Sequence, residues 1–240
     1  FLPVNVEDGK LEVVMRRYGL DGLGLWSSVQ AKANEGPYRE LLAGPMQLVA
    51  NGDTPLKGSG GFTRTDDQNA VYQGQAAHPA VRVSTRCRTE YDGCMRVELT
   101  LRPNKNGETS NIQHRTLNSL ILDIPVRDEM APLWHLVGTR PIRNNPAGRT
   151  PSGEGLVWDS ASFKPTQRKM YPVARAFVPY IWLGAEERGI CWFADHTSGW
   201  VTDAANDTPC LSLHREDGVL TLRVHLVQKP TVIEEKRRIV

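Results

Sequence analysis

The chain has 240 residues, of which 40% are hydrophobic and 23% charged, so a substantial core can be buried and a wholly disordered chain is excluded. The 29 basic and 27 acidic side chains leave a net charge of +2, which argues against a nucleic-acid binder driven by a strong overall basic field. The 21 glycines and 16 prolines favour many short strands over long helices, and no apolar run reaches the roughly 18–20 residues of a membrane-spanning helix.

No secretory leader is visible, and the chain opens at Phe1 rather than Met, which reads as a processed product or a fragment. The first predicted element is a hairpin. Val4–Val6 and Leu11–Val13 flank Asp8-Gly9; a tight turn there sets Val6 opposite Leu11 and Val4 opposite Val13 on one apolar face. Glu40-Leu41-Leu42 reads as a single helical turn. The stretch from 51 to 69, rich in Gly, Thr and Asp, reads as irregular.

A long strand follows over Val81–Tyr91. Val81, Val83, Cys87 and Tyr91 share one face; Arg82, Arg86, Arg88 and Glu90 share the other. Its partner is Met95–Leu101. Apolar residues are odd-numbered in both strands, so paired numbers must sum to an even value. Two registers satisfy this. A Tyr91-Asp92-Gly93 loop gives Gly the third, left-handed position. An Asp92-Gly93-Cys94 loop sets Arg88 against Glu98 and Glu90 against Arg96, which charge pairing prefers. Neither pairs Cys87 with Cys94, so a disulfide between them is disfavoured. The four cysteines, Cys87, Cys94, Cys191 and Cys210, contain no C-x-x-C pair, which argues against a zinc ribbon and leaves disulfide state and redox compartment open.

Further strands are predicted over Leu117–Val126, Leu133–Gly138, Ala176–Leu183 and Gly189–Ala194. Pro125 must sit at a strand end or edge. Asp128-Glu129-Met130 reads as a single turn, and 141–172 as a long irregular loop. The last hairpin turns at Asp217-Gly218, pairing Leu213 with Leu222 and Leu211 with Val224. Its polar face then carries Ser212, His214, Thr221, Arg223 and His225. The sum is an all-β, antiparallel two-sheet β-sandwich with long loops, a single domain over 1–240.

Chemistry is densest between Tyr180 and Trp200, where three of the six tryptophans fall. Gly184 and Gly189 bracket a charged turn, as in a hairpin with a polar tip. Tryptophan faces stack on sugar rings while neighbouring acids and arginines bond the hydroxyls. The candidate carbohydrate-binding residues are therefore Trp182, Glu187, Arg188, Trp192, Asp195 and Trp200. The competing reading, favoured for Trp182 and Trp192, is that large aromatics fill the core of a sandwich; Trp200, after a turn, is left open. Glu186 and Glu187 are adjacent, whereas glycosidase acids face each other about 5–9 Å apart.

The segments WLGAEERGICWFAD and GW, with RTEYDGCMRVELTL and LILDIPV upstream and GVLTLRVHLVQKP downstream, resemble the N-terminal β-sandwich domain of glycoside hydrolase family 123-like proteins. The resemblance runs from about 71 to 231. Trp182, Gly184, Glu187, Arg188, Gly189, Trp192 and Trp200 match it as a fold signature. It implies a parent that hydrolyses β-N-acetylgalactosaminides by substrate-assisted catalysis, with an Asp-Glu pair on a separate (β/α)₈ barrel. It also implies an extracellular or periplasmic setting. No βα repeat for a barrel occurs in this sequence, so no catalytic residue is carried over.

No Gly-x-Ser-x-Gly elbow or phosphate-binding loop is present. His214 and His225 approach each other on the last hairpin without a third ligand. The acids at 66–67 and 203–207 could offer calcium oxygens but read as solvated turns. No metal or cofactor is predicted. Three functions follow, in order: a non-catalytic module that packs beside a catalytic barrel or binds a glycan; a self-associating surface-layer or filament subunit using its sheet edges; and a glycosidase acting on N-acetylgalactosaminides through Glu187 and Asp195. Neither nucleic acid nor membrane is an expected partner.

Overall fold

A computed structural model describes residues 2–52, 54–104, 115–138, 146–162 and 177–240. The first meander comprises β1 (Asn5–Glu7), β2 (Lys10–Val13), β3 (Arg16–Leu20), β4 (Trp26–Ala31) and β5 (Arg39–Glu40), paired in that order. Asp8 and Gly9 adopt φ of 49° and 73°, the left-handed pair of a two-residue hairpin turn, and Val6 lies opposite Leu11 as expected. Val4 is buried but lies just outside that ladder.

The helical turn expected at Glu40-Leu41-Leu42 is a correction. Arg39 and Glu40 pair with β4, the Glu40 carboxylate accepts the N–H groups of Val29 (2.8 Å) and Leu42 (3.0 Å), and Leu41 N–H donates to the Val29 carbonyl. Those bonds replace the ones a turn would make, and both leucines are buried.

β6 (Gln47–Ala50) precedes a second meander: β7 (Ser59–Thr65), β8 (Asn69–His78), β9 (Val81–Glu90) and β10 (Met95–Arg102). β3, β4, β6 and β8 correspond to no strand expected from the sequence. β7 lies within the stretch read as irregular; its glycines and threonines pair as an edge strand against β8 and it is exposed almost throughout. The register between β9 and β10 is the first of the two alternatives: Thr89 faces Met95, Arg86 faces Glu98, and Glu90 N–H donates to the Cys94 carbonyl around a Tyr91-Asp92-Gly93 loop. Gly93 has φ 87°, and the Asp92 carboxylate accepts Cys94 N–H at 2.9 Å. Turn chemistry outweighs charge pairing here.

The remaining strands are β11 (Thr116–Leu117), β12 (Leu120–Arg127), β13 (Leu133–Val137), β14 (Ala147–Arg149), β15 (Gly155–Asp159), β16 (Tyr180–Gly184), β17 (Gly189–Phe193), β18 (Leu211–Glu216), β19 (Val219–Val227), β20 (Thr231–Val232) and β21 (Arg237–Ile239). β14 and β15 fall within the loop expected at 141–172; of that loop, 141–145 and 163–172 lie outside the described residues. Pro125 is inside β12 and pairs with Thr221. That corrects the expected strand end or edge: on the other side its carbonyl accepts Ala43 N–H, Val126 bridges Leu42 and Arg127 N–H donates to the Leu41 carbonyl, so the proline is tolerated with one ladder donor missing. Leu213 faces Leu222 and Leu211 faces Val224 around Asp217-Gly218, as predicted.

The all-β antiparallel class therefore holds. Among the described residues the ladders divide into five sheets: β1-β2-β3-β4-β5, β21-β10-β9-β8-β7, β11-β20, β15-β18-β19-β12-β6 and β14-β13-β16-β17. Two layers were expected; alternation marks which face of a hairpin is buried but not which distant strand closes each sheet. One parallel bridge, Val201 to Val227, interrupts the antiparallel rule. Leu11, Leu101, Leu120, Leu136, Ile181 and Leu211 belong to one apolar cluster, each worth about 2 kcal/mol of burial. Among these residues there is no α-helix, only 3₁₀ turns such as the one expected at Asp128–Met130 and another at Ala204–Asn206.

Candidate functional site

The Tyr180–Phe193 segment is a hairpin: Tyr180 faces Phe193, Ile181 faces Trp192, Trp182 faces Cys191, and Gly184 faces Gly189. The turn is 185–188, with Ala185 N–H donating to the Arg188 carbonyl. β13 pairs on the other side of β16 and puts His135 opposite Trp182. Period-2 alternation then sorts the aromatics onto two faces.

The inner face carries Trp134, Ile181, Leu183, Ile190 and Trp192 against the core. Trp192 sits 6.4 Å, ring centre to ring centre, from Trp200, which is buried and in edge contact with Phe177. The outer face carries Tyr180, Trp182, Cys191 and Phe193, with His135 beside them; Phe193 is 55% exposed. His135 and Tyr180 meet edge to face at 6.1 Å.

Trp182 lies against the glycine pair at the hairpin's end. A Cβ on Gly184 would stand 2.4 Å from Trp182 Cζ2, and one on Gly189 would stand 2.7 Å from its Nε1. The two glycines let the indole lie over bare backbone. Tyr180 and Cys191 are diagonal neighbours on this face, and partial desolvation pushes both the hydroxyl and the thiol above their ordinary values.

The six residues singled out from sequence do not form one cluster. Trp182 faces outward, while Trp192 and Trp200 pack inward. Glu187 is exposed at the turn and 3.6 Å from Arg188, whose own side chain is mostly covered and lies near Gly36. Asp195 is exposed beyond the other end of the hairpin. The five-pair ladder between Glu187 and Asp195 is about 13 Å long, too far for an opposed glycosidase pair. Sequence reasoning missed Tyr180, Phe193 and His135. Tyr180 shares Trp182's face by alternation alone, and Phe193 joins it once the turn length is fixed; His135 comes from another strand and had no local signal.

Elsewhere, Ser212 Oγ hydrogen-bonds His225 Nε2 at 2.9 Å and His214 Nε2 at 3.2 Å. Ser212 is fully covered, so this trio has the bonding of a serine and its base without room for a substrate. Among the described residues no group of three His, Cys, Asp or Glu side chains could hold a metal ion.

The family model described as glycoside hydrolase 123, third domain, matches residues 4–190. That span takes in most of the first 70 residues, which lie outside the 71–231 stretch over which the sequence resembles the family. The description assigns the region to a third domain, where the resemblance had pointed to an N-terminal one. No curated protein matches the chain.

Proposed function

The chain belongs to the glycoside hydrolase 123 third-domain family, and from that premise we propose that it is a non-catalytic accessory module that contacts carbohydrate through the outer face of the tryptophan hairpin. The observation that carries this reading is the outward set of Tyr180, Trp182 and Phe193, with Trp182 laid over Gly184 and Gly189. Such a set offers apolar ring faces to a sugar, and His135 and the Tyr180 hydroxyl offer polar partners at its edge. The separation of Glu187 from Asp195 supports a binding role over a hydrolytic one.

The test is titration of the 240-residue chain with oligosaccharides ending in N-acetylgalactosamine, followed by nuclear magnetic resonance. Shifts confined to the Trp182 indole and to Tyr180 and Phe193, lost in Trp182→Ala, are expected. No perturbation at millimolar sugar refutes carbohydrate contact. The exposed Phe193 equally suits packing against an adjacent catalytic domain, in which case the same resonances respond to that domain and not to sugar.

A further inference from the structure

The sheet β21-β10-β9-β8-β7 turns one polar face to solvent. Gln75, Ser84, Thr100 and Arg238 follow one another across four strands, and Gln73, Arg86 and Glu98 across three. These rows line an open groove of about 710 Å³.

The charge on this face is lopsided. β9 and β10 place Arg82, Arg86, Arg88, Arg96 and Arg102 on it, β21 adds Arg238, and Lys236 borders the groove; the carboxylates are Glu90 and Glu98. With Arg64 of β7, which is held by Asp66 at 2.9 Å, eight cations stand against three anions, an excess of five in a chain whose net charge is +2. Glu98 serves three guanidinium groups at once: Arg238 at 2.8 Å, Arg96 at 3.7 Å and Arg86 at 3.9 Å, each about half exposed.

The register makes this arrangement unfavourable for the folded chain alone. Arg88 faces Arg96 and Arg82 faces Arg102, and like charges directly opposite destabilise a sheet. The register not taken would have set Arg88 against Glu98 and Glu90 against Arg96. The turn selects the version that sets arginines opposite arginines, with Glu90 engaging Arg88 and Glu98 shared among three others.

We propose that this face binds an acidic polysaccharide, its anionic groups taken by Arg86 and Arg238 in the groove and by Arg96 and Arg102 beside it on the same face, and its hydroxyls by Gln73, Gln75, Ser84 and Thr100. Guanidinium groups match sulfate and carboxylate bidentately. A polymer lying across the strands meets a new donor about every 4.8 Å. Single-stranded nucleic acid is the other polyanion to weigh, but its binding relies on successive bases stacking on several aromatic side chains, and Phe62 on β7 is the one aromatic among the residues lining the groove. The site is separate from the tryptophan hairpin and stands without it.

Calorimetric titration of the 240-residue chain tests the proposal, with dextran sulfate, polygalacturonate, neutral dextran and oligo-dT as probes. Binding of dextran sulfate or polygalacturonate is expected, weakening as salt is added, with neutral dextran inert; the first two arms separate sulfate from carboxylate recognition. Arg96→Gln with Arg102→Gln weakens binding about tenfold while leaving the melting temperature unchanged or raised, since opposed like charges are removed. Lys10→Gln with Lys229→Gln, an equal charge change off this face, leaves the affinity unchanged. Failure of both acidic glycans to bind, equal losses in the two double variants, or tighter binding of oligo-dT overturns the proposal.

Discussion

The Trp182 indole and Gly189 occupy one space: a Cβ on the glycine would come within 2.7 Å of the indole Nε1 and 2.6 Å of the Leu183 carbonyl oxygen. The second contact is with backbone, so rotation of the tryptophan alone does not relieve it. Gly189→Ala is expected to destabilise the fold by about 1–3 kcal/mol, the usual range for overpacking. It should also displace the Trp182 indole N–H resonance more than any other. Urea denaturation checks the first outcome and a two-dimensional spectrum the second; an unshifted indole signal would show that the packing described is wrong.

Gly93 is placed under a double constraint. Its φ of 87° belongs to the left-handed region, and a Cβ would meet the Tyr18 hydroxyl at 2.4 Å. That hydroxyl donates to the Gly93 carbonyl at 3.1 Å, linking the first meander to the β9–β10 turn. Gly93→Ala should therefore cost about 2 kcal/mol or more, from conformation and overlap together. Tyr18→Phe should cost about 1 kcal/mol, the worth of one hydrogen bond. Denaturation midpoints of the two variants give the comparison, and a Gly93→Ala midpoint equal to that of Tyr18→Phe contradicts it.

Local patterning made the hairpins legible. Asp8-Gly9 and Asp217-Gly218 fix their registers through turn geometry, and alternation in Val81–Glu90 correctly separates the apolar from the charged face. Where two turns were compatible with the same alternation, at Asp92-Gly93, the sequence alone left the register open. Glu40 misled because its carboxylate bonds Val29 and Leu42, a tertiary arrangement with no local signature. β7 is polar and glycine-rich and exists because β8 supplies its partner. The candidate site was half visible: alternation links Tyr180 to Trp182, but that Trp200 is buried against Phe177 depends on how distant segments pack. Whole-chain charge concealed the basic face, since a net charge of +2 averages an excess of five on one sheet with acids elsewhere.

All four cysteines are free, and their surroundings differ. Burial pushes the Cys87 thiol up to about 12 and raises Cys210 as well; both are covered, so both lack thiolate and access. Cys191 is exposed on the hairpin's outer face and Cys94 is half-buried. A disulfide exchange reagent at pH 8 should modify Cys191 first, then Cys94, and reach Cys87 and Cys210 only when denaturant is added. Mass spectrometry of the labelled peptides gives the order. Early labelling of Cys87, or fewer than four thiols after denaturation under non-reducing conditions, would contradict the packing or the free state.

The final prediction concerns His225, which is held well below its ordinary value, at about 4, first by burial and then by the charges of Arg223 and His214. Arg223 also pairs with Asp123 at 3.3 Å, and Ser212 hydrogen-bonds the ring. The folded-state value lies below the unfolded one, near 6.5, so between these two values the unfolded chain binds the proton and the folded chain does not. Stability from the neutral ring is fully present above about pH 6.5, and it is lost as pH falls towards 4. A loss on the order of 2–3 kcal/mol over that window is expected from this residue. His214 is shifted in the same direction by burial and by Arg223, and adds to the effect. His225→Gln cannot take the proton and should flatten the urea midpoint between pH 4 and 6.5 while lowering it at pH 8. A wild-type midpoint that rises as the solution is acidified through this range would reverse the sign and remove the burial of His225 as its cause.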